Sequence, residues 1–248
     1  MFRYVSDGPF GRLIIDRPRQ RNAVPVERWG ELAAATVAAE MAAPCALIVQ
    51  SAAEGAFCAG ADLGHLATLG QDVGGRTAFR LAMRGAIDAL AALPLPVIAA
   101  VDGGCFGAGV ALMLACDVAV AGEGARFAVP PARLGIAYPQ EDIDRLAARV
   151  GRGQAGLMLL GMETIDAAEA ARIGLVERAV PVALAEAERL AAAMAEGAPS
   201  SFATLKRMIA GVGPGVDTDA LFDASFGSAD FPEGIAAYRE RRKPEFRR

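Results

Sequence analysis

Histidine is almost absent from this sequence: His65 is the only one among 248 residues. Cysteine is sparse, and Cys45, Cys58, Cys105 and Cys116 form no Cys-x-x-Cys pair. Zinc sites are built from clusters of these two residue types, so no metal centre is expected. Thiols with no pairing pattern fit a reduced, cytoplasmic protein, and two of them fall in apolar stretches, where a free cysteine behaves as a small hydrophobe. No uncharged apolar run reaches the roughly 18 residues that a membrane-spanning helix needs. The opening MFRYVSDGPFGRLIID lacks the apolar region of a signal peptide. A strong excess of one charge is missing too. The formal net charge is −4, and the only basic cluster is the closing RERRKPEFRR, which reads as a solvated tail. Nucleic acid is therefore not an expected partner.

What is present is material for a packed core. Hydrophobic residues make up 54% and charged residues 22% of the chain, enough for one large domain with or without a small appendage. The most informative stretch is Ala99 to Asp117, AAVDGGCFGAGVALMLACD, preceded by the apolar run LPLPVIAAV. It predicts a buried strand, a turn rich in glycine, and a buried helix from Val110. At such a turn backbone N–H groups lack intrahelical partners, and glycine lets another molecule approach them. They suit an anionic oxygen. A dinucleotide-binding fingerprint is excluded, because the third glycine of GxGxxG would fall at Leu112.

Around that stretch the pattern predicts two short strands over 2–16, a helix from Val26 to Met41 and a buried strand from Cys45 to Gln50. A loop of small residues follows, Ser51 to Gly60. Asp62 is placed at a helix start, where a carboxylate is favoured. Residues 64–75 read as a mobile, glycine-spaced segment, and Arg76 to Leu93 as a helix. Strands are expected at Asp117–Ala121 and Ala125–Val129, then an irregular loop from Pro130 to Pro139. Helices are expected at Glu141–Val150, Gln154–Leu160, Asp166–Ile173 and Val182–Ala195. Beyond Gly197 only helices are expected, over 201–210 and 218–243. Alternating strands and helices predict an α/β architecture, organised as a core over 1–196 and a helical region over 197–248.

Six segments taken together resemble the enoyl-CoA hydratase/isomerase family, the crotonase superfamily. They are RPRQRNAV (Arg17–Val24), GAFCAGADL (Gly55–Leu63), AAVDGGCFGAGVALMLACD, ARFAVPPARLGI (Ala125–Ile136), IDAAEAARIGLV (Ile165–Val176) and DFPEGIAAYRERRKPEF (Asp230–Phe246). They stand in family order and span almost the whole chain. The resemblance implies a spiral of ββα repeats followed by helices that assemble homotrimers, often paired as hexamers. It implies an acyl-CoA thioester as substrate, with no separate cofactor, and two backbone N–H groups that polarise its carbonyl. Carried onto this sequence, those donors are Ala61 and Ala108. The CoA moiety is implied to lie along the Arg17–Asn22 loop and along Ala59, Ala61, Asp62 and Leu63. Arg19 and Arg21 read equally as CoA contacts or as solvated loop charges, and Lys243 and Phe246 are placed at the adenine end.

The sequence also departs from the family. The two glutamates that handle water in the hydratases are replaced, one by Ala111 and the other by Pro131. Neither side chain can exchange a proton. Ordinary hydration is therefore expected to be slow. Glu141 or Asp142 could supply a base, or could merely cap the following helix. Tyr138 could donate to substrate, or be a loop aromatic with a wet hydroxyl. His65 is in a place suited to acid–base work, or is a plain loop histidine. Three functions stay open: an enzyme of thioester-enolate chemistry other than standard hydration, a non-catalytic acyl-CoA-binding protein, and a weak hydratase with relocated catalytic groups.

Overall fold

The computed structural model describes residues 1–213 and 215–246. Two strands, β1 (Phe2–Asp7) and β2 (Phe10–Ile15), form an antiparallel hairpin closed at Gly8, whose φ of +58° suits a residue without Cβ. Helix α1 (Trp29–Ala42) then buries Trp29, Leu32 and Ala35. The chain continues through β3 (Leu47–Ser51), β4 (Ala56–Cys58), α2 (Leu63–Thr68) and α3 (Val73–Ala91). Next come β5 (Val97–Val101), β6 (Gly104–Phe106) and α4 (Ala108–Leu114), then β7 (Val118–Gly122), β8 (Arg126–Ala128) and α5 (Gln140–Leu159). The short β9 (Ile165–Asp166), α6 (Ala167–Arg172), β10 (Arg178–Val180) and α7 (Ala183–Met194) follow. Only helices remain among the described residues after that: α8 (Pro199–Ile209), α9 (Thr218–Ser225) and α10 (Asp230–Glu240).

The strand order explains the repeat. One sheet runs β1-β2-β3-β5-β7-β10 and the other β4-β6-β8-β9. The β1–β2 hairpin lies wholly in the larger sheet; from β3 to α5 each unit gives its first strand to the larger sheet and its second to the smaller one before helix returns the chain. Successive units pair in parallel, β3 with β5 and β5 with β7, and β4 with β6 and β6 with β8. The result is a spiral of ββα turns, as the resemblance implied.

Parallel strands covered on both faces read as continuous apolar runs. In β5, all of Val97-Ile98-Ala99-Ala100-Val101 is buried. Val97, Ala99 and Val101 face the main core with Leu13, Ile15, Phe57 and Leu112. Ile98 and Ala100 face the opposite way, against Ala183, Ala187 and Ala191 of α7. Alanine every fourth residue keeps one face of that helix flat, so it lies close on the sheet.

Several expectations need correction. Residues 64–75 hold most of α2 and the start of α3 rather than a glycine-spaced open segment. Asp62 and Asp72 each accept a backbone N–H at the helix start, which turns the glycines behind them into first-turn residues. The loop expected over 51–60 contains β4, and the turn after β5 contains β6. Pro199 opens α8 at its first turn, the one helical position where its missing N–H costs nothing. The two helices expected over 141–160 are both present, meeting at a kink at the non-helical Gly151, where φ is +77°. Arg145 and Arg149 are half-buried in ion pairs with Asp88 and Glu177. Gly174, at φ +80°, ends α6 as expected.

All four cysteines are free and buried. Burial pushes the Cys58 thiol up to about 12, and Cys105 and Cys116 upward as well. Since the thiolate is the reactive form, an alkylating reagent at about pH 8 should leave these three unmodified in the folded protein and label them in denaturant. Mass spectrometry after a timed pulse reads this directly; labelling without unfolding would contradict the packing.

Candidate functional site

Two parallel neighbours of the smaller sheet, β4 and β6, end side by side, with Cys58 opposite Cys105. The loops that leave them must therefore emerge together. The first is Ala59-Gly60-Ala61-Asp62 and the second turns at Gly107 into Ala108, the first residue of α4. Both turns use conformations that L side chains rarely adopt: φ is +93° at Gly60, and φ/ψ is +50°/−119° at Gly107. They are also tight. A Cβ on Gly60 would lie 2.7 Å from the Phe106 carbonyl oxygen and 3.4 Å from the Ala108 nitrogen. The chain thus brings the Ala61 and Ala108 peptides to one place. Neither N–H donates to a protein acceptor among the described residues.

Both residues line a cleft of 540 Å³. Its walls are apolar, with Leu66, Phe79 and Met83 on one side and Val129, Ile136 and Pro131 on the other. Arg80, Arg133 and Tyr138 supply its polar side chains, and no carboxylate lines it among the described residues. Of the residues implied to meet CoA, Ala59, Ala61 and Leu63 also line it.

A polar frame beneath the first loop escaped the sequence reasoning, which singled out Arg19 and Arg21 instead. Asn22 is fully buried at φ +60°. Its Oδ1 accepts the Arg17 backbone N–H at 2.7 Å, and its Nδ2 donates to Ser51 Oγ at 2.7 Å and to the Phe57 carbonyl at 3.0 Å. Arg17 donates to Asp62 Oδ2 at 2.6 Å and to the Ala23 carbonyl at 2.8 Å. Backbone bonds Ala59 N–H to Arg21 O, Val24 N–H to Gly60 O and Asp62 N–H to Val24 O complete the clamp. The guanidinium of Arg17 holds the Asp62 carboxyl below its usual range. Asparagine is the residue that tolerates left-handed backbone while its side chain satisfies main-chain groups, and that was the available signal. Asn22→Ala should leave buried donors and acceptors unpaired and cost about 2–4 kcal/mol in chemical denaturation; an unchanged midpoint would show the frame to be dispensable.

The expected acid–base groups are not brought together. Glu141 points toward α3 and pairs with Arg84 at 2.5 Å, outside the cleft lining. Asp142 is buried, with Arg145 at 3.3 Å, also outside the lining. Burial raises its carboxyl above the ordinary value. His65 is exposed on α2, its Nδ1 2.9 Å from Glu27 Oε2, and does not line the cleft. Tyr138 does line it, but its hydroxyl is engaged, donating to the Gly107 carbonyl at 2.9 Å. Ala111 is fully buried inside α4, whereas Pro131 stands in the cleft wall.

The outer CoA contacts do not converge on the cleft either. Arg19 and Arg21 are exposed and lie outside its lining, and Asp62 serves as the cap of α2. Lys243 pairs with Glu196 at 2.5 Å, and Phe246 lines a separate hollow with Pro232, Ala236 and Arg242.

Spiral and cleft together define an α/β protein of stacked strand–strand–helix units with an apolar cavity at the ends of two adjacent parallel strands. The family model described as enoyl-CoA hydratase/isomerase matches residues 11–248. A relative from Rhodobacter capsulatus named "Probable enoyl-CoA hydratase" is 35% identical over 98% of this chain and 96% of its own. Among solved structures, an enoyl-CoA hydratase/isomerase family protein from Hyphomonas neptunium superposes with a TM-score of 0.94 at 33% identity, covering 99% of this chain and 97% of that one. The enoyl-CoA hydratase from Bacillus anthracis gives 0.90 at 28% identity, covering 99% and 98%. This chain belongs to the enoyl-CoA hydratase/isomerase (crotonase) family.

Proposed function

We propose that the chain holds an acyl-CoA thioester with its carbonyl oxygen between the Ala61 and Ala108 amides, and that these stabilise negative charge on that oxygen as an enolate forms. The observation that carries this reading is the pair of N–H groups without protein acceptors on adjacent loops, opening into one apolar cleft. Donors fixed before the reaction need no reorganisation when charge develops. Arg80 and Arg133 give the same cleft positive charge, which favours an anionic intermediate.

Standard hydration is disfavoured by the same cleft. Water addition needs a base near the acyl chain, and no carboxylate among the described residues lines the space. The activity proposed is enolate chemistry other than rapid hydration, such as double-bond migration or another lyase or hydrolase reaction. That lack of a base also supports a second reading, a non-catalytic acyl-CoA-binding protein. Exposed Phe222, Phe226, Phe231 and Tyr238 on α9 and α10 support packing of the helical region on further copies of the chain, as a homotrimer or hexamer.

The test is a panel of saturated and unsaturated acyl-CoA thioesters, with calorimetry for binding and separate assays for hydration, double-bond migration and CoA release. Binding with slow or undetectable hydration is expected. Rapid hydration would contradict the missing base, and binding with no turnover at all would select the carrier reading. Failure to bind any thioester would overturn both.

A further inference from the structure

We propose that Tyr138 is a positioning residue for the thioester-binding amide: its hydroxyl holds and polarises the one peptide unit whose N–H is the Ala108 donor. This deepens the thioester reading and rests on it.

The Gly107 carbonyl and the Ala108 N–H belong to the same peptide. No described peptide bond is cis, so in this planar unit the oxygen and the hydrogen point in opposite directions. Fixing one fixes the other. The Tyr138 hydroxyl donates to the Gly107 oxygen at 2.9 Å from the side of the 130–139 segment. The same oxygen accepts from Val110 N–H at 2.9 Å and Ala111 N–H at 3.3 Å, as the first carbonyl of α4. On the other flank, the Gly107 N–H donates to the Ala128 carbonyl at 2.9 Å.

Those restraints matter because glycine is free to rotate. At φ/ψ of +50°/−119°, Gly107 has no Cβ to hinder rotation of the peptide that follows, and a turn of that peptide would swing the Ala108 N–H out of the cleft. A donor on the carbonyl oxygen opposes the turn. It also draws electron density toward oxygen and strengthens the N–H opposite as a donor, by about 10–30% per bond in such chains.

Tyr138 is placed to do this and little else. It packs against the main core, and the following Pro139 restricts its backbone. Burial drives its phenol well above the ordinary value, so the proton stays on oxygen. A phenol has one proton to donate, and that proton is committed to Gly107. Its action on the substrate is therefore indirect.

The experiment uses the full chain and a 2,4-dienoyl-CoA, whose absorption moves to the red when its thioester carbonyl is polarised. Calorimetry gives affinity, and absorption together with the carbonyl-13C resonance gives polarisation. In Tyr138→Phe the affinity should stay within about threefold of the parent while the binding-induced shifts fall by roughly a third or more. Replacing Tyr138 with 3-fluorotyrosine, a stronger donor of nearly the same size, should enlarge the shifts beyond the parent's. Full parental shifts in Tyr138→Phe would overturn the proposal. So would shifts indifferent to fluorination, including the case where Tyr138→Phe loses binding and melting temperature together, which marks a packing role alone. A parent that binds no dienoyl-CoA would instead bring down the thioester reading, and this role with it.

Discussion

Ala108→Pro should cut turnover of a CoA thioester by about 10²–10³ while leaving the fold nearly as stable as before. Proline deletes the N–H and nothing else that the fold needs. Ala108 is the first residue of α4, where helices accept proline readily. The residue before proline is disfavoured in the helical region, and Gly107, with ψ at −119°, is not in it. Steady-state kinetics and a melting curve on the same preparation separate the two effects. A variant that melts like the parent and turns over like the parent would remove Ala108 from the chemistry.

Gly109→Ala should be strongly damaging for a single added methyl near the site. A Cβ there would lie 2.4 Å from the Cys58 carbonyl oxygen and 2.9 Å from the Cys58 Cβ, closer than real Cβ atoms come. Both partners belong to ordered elements, so α4 must move off β4. Overpacking of this kind costs about 1–3 kcal/mol. The larger effect is on function. Cys58 leads into Ala59-Gly60-Ala61, and Gly109 follows Ala108, so the shift separates the two amides. A misplacement of about 1 Å can cost on the order of 10²-fold in rate. Gly85→Ala on α3 is the control, because nothing lies within 4 Å of its Cβ. That change should stabilise the helix by up to about 1 kcal/mol. Equal outcomes for the two variants would contradict the close approach of α4 and β4.

Much of this architecture is readable in the residues. The apolar run through Val97–Val101, Gly60 before Ala61, the Gly107/Gly109 pair around Ala108, and the stop at Gly174 carry local signals strong enough to stand without partners. The cap at Asp62 is equally local, since its Oδ1 accepts from Gly64 N–H two residues on. The three-residue strands β4 and β6 are not readable, because their pairing partners lie about one repeat away and a triplet has no period. Side-chain direction at Glu141 and Asp142 is set by Arg84, Asp88 and Arg145, and two of those sit more than fifty residues distant on α3. His65 is likewise claimed by Glu27, from the segment before α1. A carboxylate beside a cleft motif in sequence therefore says little about which wall it faces. Asn22 is hard to read for another reason: apart from Ser51 its partners are main-chain groups, so beyond the residue's own tolerance of left-handed backbone no residue pattern displays them.

The most direct test is a crystal structure of the chain with a saturated acyl-CoA bound. The account predicts the thioester oxygen about 2.7–3.1 Å from the nitrogens of both Ala61 and Ala108, with no carboxylate beside carbons two and three of the acyl chain. A thioester lying elsewhere, an oxygen touching neither amide, or Glu141 or Asp142 swung in beside those carbons would contradict it.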